Sequence, residues 1–397
     1  MVGSRRDRCR WAWQVVMALA LLAGTVGMPR AGAAQGALRL GVLLPQTGNA
    51  ATTGRFMTDG YVIAIKELND RGGVAGRKID HEIFNTVGDP QSGINAFNRF
   101  VAGGYRFGLI GFSAVITAVG PLADKENLLL VNSGAPPFDP SKMGANTIHT
   151  LNGQDHEMVK AARYAYEKMG ARNVGFVYAD IAANFAGVKK FAATFEQLGG
   201  KVAGFEGAPQ GAPDFRSLLI RLKQKNPDLI YIYTFGPDPG NIMKQMKELG
   251  MTSVRTMGYS GAAVPQTFQV GGAAAEGFVA TSGYFDPASK DPQTEQYLAS
   301  YRKYLNPSVD PKTLGFYHAT TYDGMMMLAM AMEKVAKSGG NPEDPKAVRN
   351  AFYEVGRFPA VTGTAVYTAG NSVPRKPFQV LEVKGGQFVP IDKLDID

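Results

Sequence analysis

The chain has 397 residues, a formal charge of +8, 45% hydrophobic content, one cysteine (Cys9) and two tryptophans (Trp11, Trp13). One thiol forms neither a disulfide framework nor a thiolate metal site, and the scattered positive charge argues against nucleic-acid binding. On a prior of roughly 100–200 residues per domain, the length suggests two domains.

The first 33 residues read as a secretory signal. Arg5, Arg6, Arg8 and Arg10 precede an apolar run, residues 15–28, and Ala31-Gly32-Ala33 supplies the small residues that a signal peptidase accepts. Removing them takes away five basic residues and one acid, net +4 of the +8, so the mature chain is expected at +4. Cys9 and both tryptophans leave with the signal. No later segment has the roughly 18 continuous apolar residues of a membrane span, which implies export to the periplasm.

From residue 38 short aliphatic runs alternate with longer amphipathic stretches. Strands are expected at 38–45, 78–84, 107–111 and 128–131, and helices at 54–69, 91–102 and 114–126. In 54–69, Met57, Tyr61, Ile65 and Leu68 recur at the spacing of one helix face. The rhythm restarts with helices at 158–169, 183–198, 215–225 and 239–249, and strands at 173–178, 201–205, 228–234 and 255–259. The last third gives a strand at 277–282, a long helix at 317–336, and strands at 378–383 and 388–391 joined by the hairpin sequence Lys384-Gly-Gly-Gln387. Such alternation predicts an α/β fold with parallel sheets covered by helices, built as two similar lobes.

Enzyme motifs are scarce. Ser113 and Ser260 each follow a glycine at the spacing of G-x-S-x-G but lack the second glycine, and no phosphate-binding or dinucleotide fingerprint follows the first strand. His81, His149, His156 and His318 are too far apart for a helical metal pair. Neither cofactor nor metal is expected. The ends of the predicted strands are instead rich in small residues, at 45–48, 111–114, 132–135 and 235–237. That is where open α/β sheets place ligands, beside helix N-termini.

The segments Leu40-Gly-Val-Leu-Leu-Pro-Gln-Thr-Gly48, Asn69-Asp-Arg-Gly-Gly-Val-Ala-Gly76 and Asp89-Pro-Gln-Ser92 resemble the branched-chain amino acid (Leu/Ile/Val) binding proteins of ABC importers. So do Val177-Tyr-Ala-Asp180, Asp214-Phe-Arg-Ser217 and Ala275-Glu-Gly-Phe278. The resemblance implies a type I periplasmic binding protein: two Rossmann-like lobes, joined by three crossovers, closing on a ligand. Lobe 1 would hold 37–150 plus 278–357, and lobe 2 would hold 151–277 plus 358–397. Matched loop by loop, Ser113, Ala114, Gly134 and Ala135 would hold a ligand carboxylate, and Phe185, Phe235 and Tyr317 would close over its side chain.

Amino-acid binders of that family carry an acid in a second-lobe loop, where this chain has Gly258-Tyr-Ser-Gly261, with Ser260 at the acidic position. An unpaired buried ammonium is costly. Either Asp180 or Asp238 substitutes, or the ligand lacks an amine, as in an aromatic or short aliphatic acid. An amino acid, amide or urea is the alternative. The implied partners are that small-molecule ligand and an ABC permease in the inner membrane, with the protein a monomer. A ligand-binding module for a sensory receptor would use the same cleft, whereas a secreted α/β enzyme would turn its ligand over.

Overall fold

The computed structural model describes residues 36–396 apart from 49, 181, 312 and 313. The expected signal segment lies outside them. No helix among the described residues is long and apolar enough to cross a membrane.

The first half folds as β1 (Leu38–Leu44), α1 (Ala51–Asp70), β2 (Ile79–Asn85), α2 (Pro90–Ala102), β3 (Phe107–Ile110), α3 (Ser113–Lys125), β4 (Leu129–Asn132) and β5 (Thr147–His149). Strands β1, β3 and β4 are buried on both faces, which is why they read as continuous aliphatic runs, whereas the edge strand β2 is partly exposed. They pair in parallel in the order β2-β1-β3-β4-β5.

The second unit repeats the plan: α4 (Gln154–Glu167), β6 (Asn173–Ala179), α5 (Ala182–Gln197), β7 (Lys201–Ala208), α6 (Arg216–Lys223), β8 (Leu229–Tyr233), α7 (Asp238–Glu248), β9 (Arg255–Gly258), α8 (Pro265–Gly271) and β10 (Val279–Gly283). The chain then adds α9 (Pro292–Tyr304), α10 (Phe316–Lys337), α11 (Pro345–Val355), the short strands β11 (Arg357–Phe358) and β12 (Ala365–Val366), and the hairpin β13 (Phe378–Lys384) with β14 (Gln387–Leu394). Gly385 and Gly386 turn that hairpin with φ of +58° and +75°, the left-handed pair that a tight two-residue turn requires. The second sheet runs β14-β13-β10-β9-β8-β6-β7, parallel except at β13 and β14.

Two expected boundaries move. Val279–Gly283 pairs with β9 and β13 in the second sheet, so the chain returns to the first lobe after Gly283, not before Phe278. Phe358, Val361, Ala365 and Tyr367 are buried in the core of α1, α10 and β1, so the first lobe runs on past residue 357. The three crossings therefore lie at about 150–153, just beyond 283 and just ahead of 378. Strands β5, β11 and β12 and helices α8, α9 and α11 were not anticipated.

Helices α1 and α10 pack so closely that a methyl group on Gly60 would fall 2.1 Å from Thr321 Oγ1 and 2.3 Å from the His318 carbonyl oxygen. Glycine in a helix interior costs about 1 kcal/mol relative to alanine, and the close crossing explains its presence. Gly60→Ala is expected to lower stability by about 1–3 kcal/mol despite the better helix former, because overpacking forces the helices apart. Urea unfolding checks it, and an unchanged or raised midpoint would refute the steric account.

Candidate functional site

In each sheet the strand order reverses once, between β1 and β3 and between β6 and β8. The carboxyl ends of strands flanking such a reversal open a crevice suited to ligands. Ser113 and Ala114 stand there, exposed, as the first residues of α3, whose N-cap Phe112 provides no side-chain acceptor. The first-turn N–H groups therefore face outward as donors. The loop after β4 touches this helix start: a methyl on Gly134 would fall 2.8 Å from Gly111 Cα.

Gly134 and Ala135 differ from the expectation. Their N–H groups donate to Asn132 Oδ1 at 3.2 and 3.1 Å instead of facing a ligand. The Asn132 amide donates to the Ala135 carbonyl at 2.7 Å and contacts His149 Nδ1 at 2.8 Å. Since the amide nitrogen is the donor, His149 Nδ1 is the acceptor and the ring is neutral. Burial pushes the His149 pKa down to about 3. Asn132 is thus the organiser of this loop.

On the second lobe Phe185 and Phe235 are each 41% exposed. Phe185 packs on Tyr178 and Phe205, with ring centroids 5.5 and 5.9 Å away. The Phe235 carbonyl accepts from Gln210 Nε2 at 2.8 Å. Neither ring borders the cavity described below. Deeper in, Tyr233 stacks on Tyr259 at 4.0 Å. A methyl on Gly187 would fall 3.0 Å from the Tyr233 hydroxyl and 3.3 Å from Phe138 of the first lobe, so the lobes meet closely there. Tyr317, half-buried in the first turn of α10, is near enough to Tyr259 to help burial and Glu157 keep that phenol protonated.

The lobes border a partly open cavity of about 30 Å³ where the crossings converge. Pro136, Phe316 and Thr362 line it from the first lobe, and Glu157 and Ser260 from the second. Leu151 and Asn152, Gly283 and Tyr284, and Lys376 to Phe378 complete the wall, one group from each crossing. Asn152 ties the first crossing to the third: its Nδ2 donates to the Lys376 carbonyl at 3.0 Å and its Oδ1 accepts the Lys376 N–H at 2.7 Å. The buried Lys376 ammonium lies 3.7 Å from Asp323 Oδ2 on α10.

Ser260 does not leave the site without an acid. Its N–H and hydroxyl both turn onto Glu157, at 2.7 Å to Oε1 and 2.9 Å to Oε2, and the Thr281 hydroxyl donates to Oε1 at 2.8 Å. Burial pushes the Glu157 carboxyl up to about 7, against the pull of these three donors. No cation among the described residues pairs with it. Asp180 and Asp238, the substitutes considered from sequence, stand elsewhere: Asp180 is exposed, and buried Asp238 accepts the Gly211 N–H at 2.8 Å. Two acids in the first turn of α4, Asp155 and Glu157, were the available signal, but they read equally as ordinary partners of the helix dipole.

Two lobes joined by three crossings around one shared cavity have the layout of a ligand-binding protein. The chain belongs to the periplasmic binding protein family, which matches residues 37–387, as a type I member of its branched-chain amino acid binding branch and a substrate-binding component of ABC transport. It is 28% identical over 352 residues to the Leu/Ile/Val-binding protein homolog 1 of Brucella melitensis, covering 88% of this chain and 91% of that one. Among solved structures, the leucine-binding protein LivK of Thermotoga maritima matches with a TM-score of 0.78 at 22% identity, over 90% of this chain and 99% of that chain. A solute-binding protein of Rhodopseudomonas palustris in complex with p-hydroxybenzoic acid matches with a TM-score of 0.76 at 20% identity, over 90% and 97%. Both share the fold.

Proposed function

We propose that this protein captures a small organic acid, aromatic or short aliphatic, in the cleft between its lobes outside the cytoplasm. It closes over the ligand by bending at the three crossings and presents the closed form, as a monomer, to the permease of an ABC importer. The observation that carries this reading is the cavity walled by both lobes and by every crossing, since a ligand there contacts both lobes only when they come together. The uncapped start of α3 at Ser113 and Ala114 suits a carboxylate. Phe316 and Phe378 in the cavity wall offer apolar bodies for the rest of the ligand. The R. palustris relative's p-hydroxybenzoic acid is in keeping with this class.

A second reading, an amino acid, is favoured by one observation: Glu157 is a buried carboxyl with no protein cation beside it. An ionised carboxylate so placed gains from a ligand ammonium. The leucine binding of the T. maritima relative accords with that class.

The test is a dye-based thermal shift of protein refolded to remove carried ligand, with amino acids paired against their deaminated acids and with benzoates alongside. A ligand at about 100 times its Kd adds roughly 2.7 kcal/mol, a rise of several degrees. Shifts by amine-free acids alone uphold the first reading, shifts by amino acids alone uphold the second, and a flat screen refutes both.

A further inference from the structure

A serine hydroxyl has one hydrogen and two lone pairs, so what it donates on one side decides what it offers on the other. Ser260 lines the interlobe cavity, and behind it Oγ lies 2.9 Å from Glu157 Oε2. The other carboxyl oxygen is fixed as an acceptor, because the Ser260 backbone N–H and the Thr281 hydroxyl both donate to it. With Glu157 ionised, the Ser260 hydrogen is committed to Oε2 and the cavity meets only lone pairs. With a proton on Oε2, the carboxyl donates to Ser260 Oγ, and the serine hydrogen is released toward the cavity. Every hydrogen bond of the cluster survives the exchange, while the polarity presented to a ligand reverses.

We propose that Glu157 and Ser260 form a proton-controlled specificity switch in the wall of the ligand site. In the ionised state the site takes a donor of the ligand, an ammonium or amide N–H. In the protonated state it takes an acceptor, a carbonyl or carboxylate oxygen. The switch rests on the proposed use of this cavity as the ligand site. Burial brings the Glu157 carboxyl to about 7, so both states are populated near neutrality.

The other titratable groups around it do not duplicate the exchange. Tyr231 and Tyr233 from β8 and Tyr259 after β9 are held protonated by burial, as are Tyr284 at the second crossing and Tyr317 on α10. Lys376 is held by Asp323 and Thr362. Asp155 and His156, on α4 itself, remain in any variant that changes Glu157 alone.

The experiment is calorimetric titration of the ligand-stripped full mature chain with leucine against 4-methylpentanoate and phenylalanine against 3-phenylpropionate, at about pH 5.5 and about pH 8.5. The affinity ratio of amino acid to deaminated acid is expected to rise about tenfold or more with pH in the wild type. Glu157→Gln, whose amide N–H donates to Ser260 Oγ at every pH, is expected to stay at the low-pH ratio, and Ser260→Ala to lose the pH dependence. The same pH profile in wild type and Glu157→Gln overturns the switch and leaves ligand capture standing. No binding of any pair overturns both. Independently of any ligand, the infrared carbonyl band of the protonated carboxyl is expected to disappear as pH rises through about 7 and to be missing from Glu157→Gln. A band already lost by about pH 5 overturns the proposal.

Discussion

Replacing Lys376 by methionine is expected to lower the unfolding free energy by about 3–5 kcal/mol. Lys376 and Asp323 have side chains only 3% and 2% exposed, with Nζ 3.7 Å from Oδ2. Burial pushes the Lys376 pKa down and the Asp323 pKa up, each away from its charged form, and their mutual attraction opposes both shifts. Asp323 also accepts the Val361 and Thr362 N–H groups at 2.8 and 2.9 Å, so it anchors the segment leading to the third crossing. Removing the lysine leaves a buried charge with no partner, which is costlier than never having had the pair. Two further results are expected. Asp323→Asn combined with Lys376→Met should lose less than Lys376→Met alone. The deficit of Lys376→Met should shrink as pH falls, since protonating the stranded carboxyl relieves it. Denaturant unfolding of Lys376→Met, Asp323→Asn and the double variant decides the matter, and additive losses would dismiss the pair as an energetic unit.

Lys376 also illustrates what a sequence conceals about such sites. It follows Arg375 between Pro374 and Pro377 and reads as surface charge, because nothing local reveals that α10 passes overhead. Most strands and most helices were legible because burial imposes a period on the chain: both-face burial makes β1, β3 and β4 continuous aliphatic runs, and one-face burial spaces Met57, Tyr61 and Ile65 along α1. The Gly385-Gly386 hairpin was legible because few residues adopt its backbone angles. Helices α9 and α11 were not anticipated, although each carries a local signal, Asp291-Pro292 and Asp344-Pro345, an N-cap residue followed by proline at the first helical position. The sheet membership of Val279–Gly283 was not legible, since an apolar run fits either lobe. The strand-end loops were legible because strand ends favour small residues. Their actual chemistry, Asn132 occupying the N–H groups of Gly134 and Ala135 and Glu157 lying behind Ser260, depends on contacts across 3 and 103 positions. Only the first of these spacings is local enough to have been read.

Glu157 gives the second large effect, in the pH dependence of stability. Its carboxyl is raised by burial from 4.5 to about 7. Between those values the folded chain holds a proton that the unfolded chain has released, so folding takes up a proton. Stability from this group is therefore complete below pH 4.5, declines as pH rises and levels off above about 7. At about 1.4 kcal/mol per pKa unit the decline is about 3 kcal/mol. His149 runs the opposite way: buried neutral, with its pKa lowered from 6.5 to about 3, it costs stability as pH falls through that window. The raw pH profile mixes the two, but His149 is common to wild type and Glu157→Gln and cancels in their difference. Glutamine can accept from the Ser260 N–H and the Thr281 hydroxyl and donate to Ser260 Oγ, so the variant keeps the hydrogen bonds and loses only the titration. Ligand-free Glu157→Gln is expected to gain on the wild type steadily from about pH 4.5 to 7, by about 3 kcal/mol in all, as read by urea unfolding across that range. A difference that stays flat would mean Glu157 is ionised throughout and that its three donors outweigh its burial. A rising difference would mean the free protein bears the cost of an uncompensated carboxylate at neutral pH, which a ligand cation in the same cavity would then offset on binding.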